Sequence, residues 1–226
     1  MIQFKNDLDL FTYIKEHLYV ASVCDILDEM GYRNQAMHQR LRPLLPDMEN
    51  CGFIGRARTL HWVEIPDPAP GNSYDVEIAA MNALNVGDVV MHSTDLIPIN
   101  ALWGEFMSAV CQLKGVAGCV CDGLIRDCVK IIEMGFPVFY TGIGPRNSKG
   151  RKLVLKYDVP LLCGDVSVHP GDLVYADFDG IVVVPKAAET EVFQRAWEKV
   201  ENENHSRMEL LNGKSLREVY DKYKSL

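Results

Sequence analysis

The segment GVAGCVCDGLIRDCVK, at residues 115–130, constrains the fold more than any other stretch of this chain. It opens as an apolar run that can bury both of its faces, as strands inside parallel sheets do. A turn at Asp122-Gly123 is predicted to end the strand, and a helix is predicted to follow. The segment therefore predicts a strand–turn–helix unit, with Arg126 and Asp127 side by side where the helix begins.

The same order of elements is predicted on both sides of this unit. Strand Val89–His92 leads to a helix near Gly104–Lys114, and GFPVFYTG at 135–142 is a further strand. Residues 159–185 alternate valine-rich runs with Pro-Gly and Asp-Gly pairs, which predicts antiparallel hairpins. Other predicted elements are helices at 6–17, 22–30 (with Gly31 as C-cap), 75–85 and 187–211, strands at 51–65, a loop at 65–73, and a last helix opened by a Ser215–Glu218 capping box.

These elements predict an α/β fold with parallel strands early and antiparallel hairpins late. A length of 226 residues suits one domain, so we predict a single domain over 1–226. Its C-terminal helical extension is expected to cover about 187–226.

Composition excludes several classes of partner. The formal net charge is -8 and no basic cluster reverses it, so no nucleic-acid partner is expected. The apolar stretches are shorter than the roughly 20 residues that span a bilayer, and the charged N-terminus lacks the apolar block of a signal peptide. We therefore expect a cytoplasmic protein without a membrane partner.

The sequence has seven cysteines and no CxxC pair. They are expected to be mostly buried thiols, with no structural metal or disulfide.

Two predicted strand ends carry residues suited to an anion and a metal. In NALWGEFMSAV, at 100–110, the free backbone N–H groups from Gly104 to Met107 would face a carboxylate or phosphate at a helix N-terminus. In DGLIRD, Arg126 can bind a carboxylate through two parallel hydrogen bonds, and Asp127 offers a hard oxygen to a divalent cation. Together they predict a site for a small anion chelated to a metal.

Structural roles remain open for each of these residues on spacing alone. The Arg126-Asp127 pair can be a surface ion pair in the first turn of a helix, and Gly104 can serve close packing. Glu105 can be an ordinary first-turn acid. Two further groups are assigned structural roles: Phe106, Met107 and Val110 as core residues, and His92 and His169 as structural histidines.

The combined pattern resembles a known family. Glu105 and Arg126-Asp127 are separated by twenty residues, which resembles the family's acid-x20-Arg-Asp signature. The segment GVAGCVCDGLIRD resembles the GVxGxVxDGxxRD block, and the likeness runs from about Ser22 to Pro185. This family joins the class II 4-hydroxy-4-methyl-2-oxoglutarate / 4-carboxy-4-hydroxy-2-oxoadipate aldolases with the regulators of ribonuclease activity A. The resemblance implies a swivelling β/β/α-type fold (an αββα sandwich) and a homotrimer or homohexamer.

The resemblance also implies roles for the predicted site. The backbone of Gly104, Glu105, Phe106 and Met107, with the Arg126 side chain, would bind the pyruvyl part of a small 2-oxo acid substrate. Asp127 would bind Mg2+ or Mn2+. Glu105 stands where the family often has aspartate, and it is a candidate catalytic residue beside Arg126. Either Glu105 or Asp122 could be the base, acting through water.

The implied activity is retro-aldol cleavage of a 4-hydroxy-2-oxo acid to pyruvate, with oxaloacetate decarboxylation as a side activity. A ribonuclease-binding regulator without catalysis is the alternative from another class. Some family members have been labelled methyltransferases. That activity is disfavoured here because the sequence has no glycine-rich cofactor loop after a first strand.

Overall fold

The computed structural model describes residues 4–65, 74–94 and 99–223. Except for Ile65, the loop predicted at 65–73 lies outside the described residues. The strands of the described part are β1 (Arg42–Pro43), β2 (Phe53–Glu64), β3 (Asp88–Thr94), β4 (Ala101–Trp103), β5 (Gly118–Ile125), β6 (Val138–Ile143), β7 (Lys152–Tyr157), β8 (Leu161–Cys163), β9 (Val166–Val168), β10 (Leu173–Ala176) and β11 (Ile181–Val184). The helices are α1 (Asp7–His17), α2 (Val20–Glu29), α3 (Asp75–Asn82), α4 (Glu105–Leu113), α5 (Cys128–Met134), α6 (Glu189–Leu211) and α7 (Leu216–Tyr223).

The main sheet has parallel strands at its centre and antiparallel strands at its edges. Its order is β1-β6-β5-β3-β2-β10-β11, with β4 paired to β5 and β7 paired to β2. The pairs β2–β3, β3–β5 and β5–β6 are parallel, whereas β10 pairs antiparallel with both β2 and β11. A separate antiparallel hairpin, β8–β9, forms a second sheet. The predicted division into early parallel and late antiparallel strands is therefore confirmed.

Helix ends follow the local sequence. Gly31 has φ +88 and follows α2, where the Tyr32 N–H donates to the Leu27 carbonyl at 2.8 Å. Glycine adopts this left-handed conformation without steric cost, so the predicted end of the helix at Gly31 is confirmed, with Met30 as the C-cap and Gly31 directly after it. Before α7, the Ser215 N–H donates to the Glu218 carboxylate at 2.9 Å, and the Glu218 N–H donates to the Ser215 hydroxyl at 3.3 Å. This is the predicted capping box.

Apolar side chains fill three clusters on the two faces of the curled sheet. One cluster lies between the sheet and α3–α5, a second holds α1, α2 and α6 against β10 and β11, and a third lies under the β8–β9 hairpin. Cys119 and Cys121 are fully buried in the first cluster, and burial raises the pKa of both thiols. No helix in the described ranges has the length and apolarity needed to cross a bilayer.

The predicted turn at Asp122-Gly123 is wrong. Strand β5 continues through both residues to Ile125, and the chain turns only at Arg126 and Asp127. A register shift between Cys121 and Leu124 occurs where β3 stops pairing with β5 and the short strand β4 begins. The neighbouring strand changes here while β5 itself continues, so polar residues within β5 do not mark its end.

Candidate active site

The corner between β4 and α4 exposes the first amides of a helix. Gly104 is extended (φ -164) and precedes α4, and its carbonyl accepts from the Ser108 N–H at 3.2 Å. The preceding Trp103 is buried, and its indole N–H donates to the Ser108 hydroxyl at 2.8 Å. These bonds fix the start of α4, where the first backbone N–H groups have no acceptor within the helix.

The turn between β5 and α5 brings Arg126 and Asp127 to this corner. The Arg126 N–H donates to the Trp103 carbonyl at 3.0 Å, which joins the end of β5 to the end of β4. Asp127 has φ 59 and ψ 29, and its carbonyl accepts from the Lys130 N–H at 3.0 Å to start α5. Aspartate is among the few residues that tolerate this left-handed conformation. We call Gly104 to Met107 with Arg126 and Asp127 the strand-end site.

One carboxylate oxygen lies at the centre of the strand-end site. Asp127 Oδ2 accepts from the Glu105 N–H at 3.3 Å and lies 3.5 Å from Arg126 Nε. A Cβ at Gly104 would lie 2.7 Å from the same oxygen, so a side chain at this position would displace the Asp127 carboxylate. The helix amide and the guanidinium thus converge on one position that suits an anionic oxygen.

Glu105 is tied to a residue that the sequence analysis did not select. Lys130 Nζ donates to Glu105 Oε2 at 2.8 Å, across the first turns of α4 and α5. This hydrogen bond to Glu105 is the main cause that raises the pKa of Lys130, and the nearby charges of Glu105, Asp127 and Glu133 add to it. No motif marks Lys130, because its partner lies twenty-five residues away in the chain.

Phe106 and Met107 face different directions. Met107 packs against the core, but Phe106 is 77% exposed, and Val110 is also exposed. The prediction that Phe106 and Val110 belong to the core is therefore wrong. The Trp103–Ser108 bond turns the face carrying Ser108 and Cys111 inward, so the opposite side of the amphipathic helix faces out. Phe106 therefore contributes its backbone to the strand-end site, whereas its side chain points away from the core.

Asp122, the other base considered from the sequence, is already engaged. Its two oxygens accept from Arg40 Nε at 3.1 Å and Arg40 Nη2 at 2.9 Å, and the Gly164 N–H adds a bond of 2.8 Å. Arg40 also pairs with Asp165 at 2.8 Å. These contacts hold Asp122 on the hairpin side of β5. Sequence reasoning missed Arg40 because it lies 82 residues from Asp122.

His92 is a buried structural residue, as predicted, but the prediction that its ring is fully hydrogen-bonded is wrong, because Nε2 has no hydrogen-bond partner among the described residues. It is fully buried, its ring lies 5.1 Å from that of Trp103, and its Nδ1 accepts from the Trp62 indole N–H at 2.7 Å. Burial lowers the pKa of His92 to about 3, so the ring is neutral at physiological pH. His169 is exposed at the surface beside Asp172. The described ranges contain no group of three or more His, Cys, Asp or Glu residues that could hold a metal.

Comparison with known proteins identifies the family. The model of the RraA-like family (Aldolase/RraA) matches residues 20–183, which include the whole strand-end site. The chain belongs to the RraA-like family. In this RraA-like chain, α6 and α7 follow the matched region.

Three proteins show how closely other chains resemble this RraA-like protein. A Halalkalibacterium halodurans protein, named as a candidate 4-hydroxy-4-methyl-2-oxoglutarate aldolase, is 33% identical over 193 residues, 85% of this chain and 84% of its own. Streptomyces coelicolor RraAS2, described as an unusual member of the RNase ES inhibitor RraA family, has TM-score 0.77 and 30% identity over 92% of this chain and 100% of its own. A structure described as a cellulase from gut-associated microbes has TM-score 0.82 and 29% identity over 90% of each chain. These likenesses confirm the fold class that the resemblance implied.

Proposed function

We propose that this protein is a divalent-metal-dependent class II aldolase that cleaves a 4-hydroxy-2-oxo acid to pyruvate and also decarboxylates oxaloacetate. The observation that carries the proposal is the convergence of the Glu105 amide, the Arg126 guanidinium and the Asp127 carboxylate on one position. Both reactions generate a pyruvate enolate, so one arrangement that stabilises enolate charge serves both.

The residues present suit Mg2+ or Mn2+. Mg2+ is commonly bound through one or two carboxylates, with water and substrate completing its shell. Asp127 is the carboxylate at the centre of the site, and Glu105 offers a second carboxylate at the start of α4. When bound, the metal would polarise the 2-oxo acid and stabilise negative charge on the enolate oxygen.

The protein's own groups would orient the substrate. The N-terminal amides of α4 and the planar fork of Arg126 would bind the C1 carboxylate and the 2-oxo oxygen. Gly104 allows this close approach, because any side chain there would fill the space beside Asp127 Oδ2. The backbone bond to Trp103 holds Arg126 in place without using its side chain, whose Nε lies 3.5 Å from Asp127 Oδ2 at the proposed ligand position.

Glu105 is the stronger candidate for the base. Both oxygens of Asp122 accept hydrogen bonds from Arg40, whereas Lys130 donates to one oxygen of the Glu105 carboxylate, Oε2. Glu105 is also adjacent to Gly104, at the start of the helix whose amides would bind the substrate. We propose that Glu105 takes the proton of the C4 hydroxyl through water as the C3–C4 bond breaks.

The direct test is pyruvate release from a panel of 4-hydroxy-2-oxo acids and from oxaloacetate, with Mg2+ and with EDTA. We expect release that depends on the metal and returns when Mg2+ is restored. Full release in EDTA would contradict the metal-dependent mechanism, and no release from any compound would contradict the proposed function.

A regulator that binds a ribonuclease is the second candidate. The observation that favours it is the likeness to Streptomyces coelicolor RraAS2, described as belonging to an RNase ES inhibitor family. The strand-end site supports catalysis instead, because a helix N-terminal amide and a guanidinium that converge on one position suit an anionic substrate. Inhibition of a ribonuclease by a protein that releases no pyruvate would favour the regulator.

We further propose that the protein is a homotrimer or homohexamer. Besides the family likeness, an exposed apolar surface beside the strand-end site supports assembly. Its members are Phe106, Val110 and Leu113 on α4, with Val129 and Ile132 on α5. A second copy of the chain would cover this surface and remove it from water.

Assembly predicts the mass in solution. We expect light scattering at micromolar concentration to give the mass of a trimer or hexamer. The substitution Leu113→Glu should lower that mass toward the monomer, because it places a charge on the covered surface. Met48→Glu, at an exposed apolar residue outside this surface, is the matched control. A monomeric mass for the unaltered protein would refute the proposal.

A further inference from the structure

An ion pair links the two helices that begin at the strand-end site. Lys130 is in the first turn of α5, and its backbone N–H donates to the Asp127 carbonyl. Its ammonium group reaches across to Glu105, the first residue of α4, at 2.8 Å. The cation therefore lies beside the site, about one helical turn from Asp127.

We propose that Lys130 determines substrate specificity by binding the second carboxylate of a dicarboxylic 2-oxo acid. This inference rests on the proposed function, because it assumes that the 2-oxo acid end occupies the strand-end site. Lys130 would then contact the other end of the substrate, where compounds of this class differ.

The charges at the site favour this assignment. Arg126 and the α4 amides converge on the inner position, where Asp127 Oδ2 lies, and would be used by the C1 carboxylate. Lys130 is a second cation, farther out on α5 and 61% exposed. Its ammonium carries three N–H donors, and its one side-chain partner among the described residues is Glu105. The ammonium group can thus bind a second anion, either beside Glu105 or in place of it.

Without a ligand, the four charged side chains at the site sum to zero net charge. The two cations are Arg126 and Lys130, and the two anions are Asp127 and Glu105. A bound divalent cation would therefore leave a net charge of two positive units. A dicarboxylate supplies two negative charges, whereas a monocarboxylate supplies one. Charge complementarity of this kind discriminates between ligands.

The competing role for Lys130 is a simple tie between α4 and α5. Such an exposed ion pair contributes little to stability, and losing it would change the binding of both ligand classes equally. Selectivity between matched ligands therefore separates the two roles, while thermal stability alone does not.

The experiment measures binding by calorimetry in the presence of Mg2+. It compares 2-oxoglutarate with 2-oxopentanoate, which has the same carbon chain without the second carboxylate. Neither has a 4-hydroxyl group to support retro-aldol cleavage, so binding is read independently of turnover. The variants are Lys130→Met, which removes the charge, and Lys130→Arg, which keeps it. The matched control is Lys222→Met, which breaks a remote ion pair to Glu209 between α6 and α7.

We expect the unaltered protein to prefer 2-oxoglutarate and Lys130→Met to reduce that preference about fivefold, the effect of one exposed charge pair. Lys130→Arg and Lys222→Met should retain the preference, and added salt should narrow it.

An unchanged preference in Lys130→Met, or an equal loss of affinity for both ligands, overturns this inference. If the preference behaves as expected but no substrate releases pyruvate, the proposed function fails and this binding role stands. If the unaltered protein binds neither acid, both fail.

Discussion

Replacing Arg126 with lysine is expected to lower the rate of pyruvate release about 100-fold, comparable to the loss of one oxyanion-hole donor. Lysine keeps the charge but loses the planar fork that can bind a carboxylate and an enolate oxygen together. The backbone bond from Arg126 to Trp103 does not depend on the side chain. Melting temperature should therefore hardly change, since a partly exposed ion pair contributes roughly 1 kcal/mol or less.

The matched control is Arg217→Lys, which makes the same change at the Arg217–Asp221 pair on α7. It should alter neither turnover nor melting temperature. Near-normal pyruvate release from Arg126→Lys would return Arg126 to the role of a surface charge. A large fall in melting temperature would instead assign Arg126 to the stability of the fold.

Replacing Asp127 with asparagine is expected to have opposite effects on two ligands. Loss of the carboxylate should weaken Mg2+ binding at least tenfold, because the metal loses its one assigned ionised ligand. A simple carboxylate such as propanoate should bind the metal-free variant more tightly than it binds the unaltered protein. The reason is that Asp127 Oδ2 occupies the position between the Glu105 amide and Arg126 where a ligand carboxylate would lie.

Calorimetric titration of each ligand alone checks both effects without any assay of turnover. Asp221→Asn removes a carboxylate of the same type on α7 and should leave both affinities unchanged. Unaltered Mg2+ binding in Asp127→Asn would remove Asp127 from the metal site. Weaker propanoate binding would show that Asp127 does not compete for the anion position.

The elements that periodicity and caps define were predictable from the sequence. The parallel strands, the long helix α6 and the capping box before α7 depend on local patterns, so a single sequence carries them. The short strand β4 was not predicted, because a run of three apolar residues is too short to show a hydrophobic periodicity. The end of β5 was misplaced because Asp-Gly favours a turn locally, whereas pairing with β6 on one side and β4 on the other extends the strand.

The strand-end site was predictable only in part. Gly104, Glu105, Arg126 and Asp127 were selected by spacing and by resemblance, and the fold brings them together. The side-chain partners were not predictable: Arg40 meets Asp122 and Lys130 meets Glu105 through contacts made by the folded chain. The outward face of α4 was misjudged because periodicity identifies an apolar stripe without saying what covers it.

The left-handed backbone of Asp127 limits how this position can change. With φ 59, the residue is restricted in practice to glycine, asparagine and aspartate, since a branched side chain would be strained. Two of these three lack a carboxylate, and both keep the turn between β5 and α5. One substitution can therefore remove the proposed chemistry while leaving the architecture intact. Among relatives that are named both as aldolases and as ribonuclease inhibitors, such a substitution would separate the two roles at no cost to the turn.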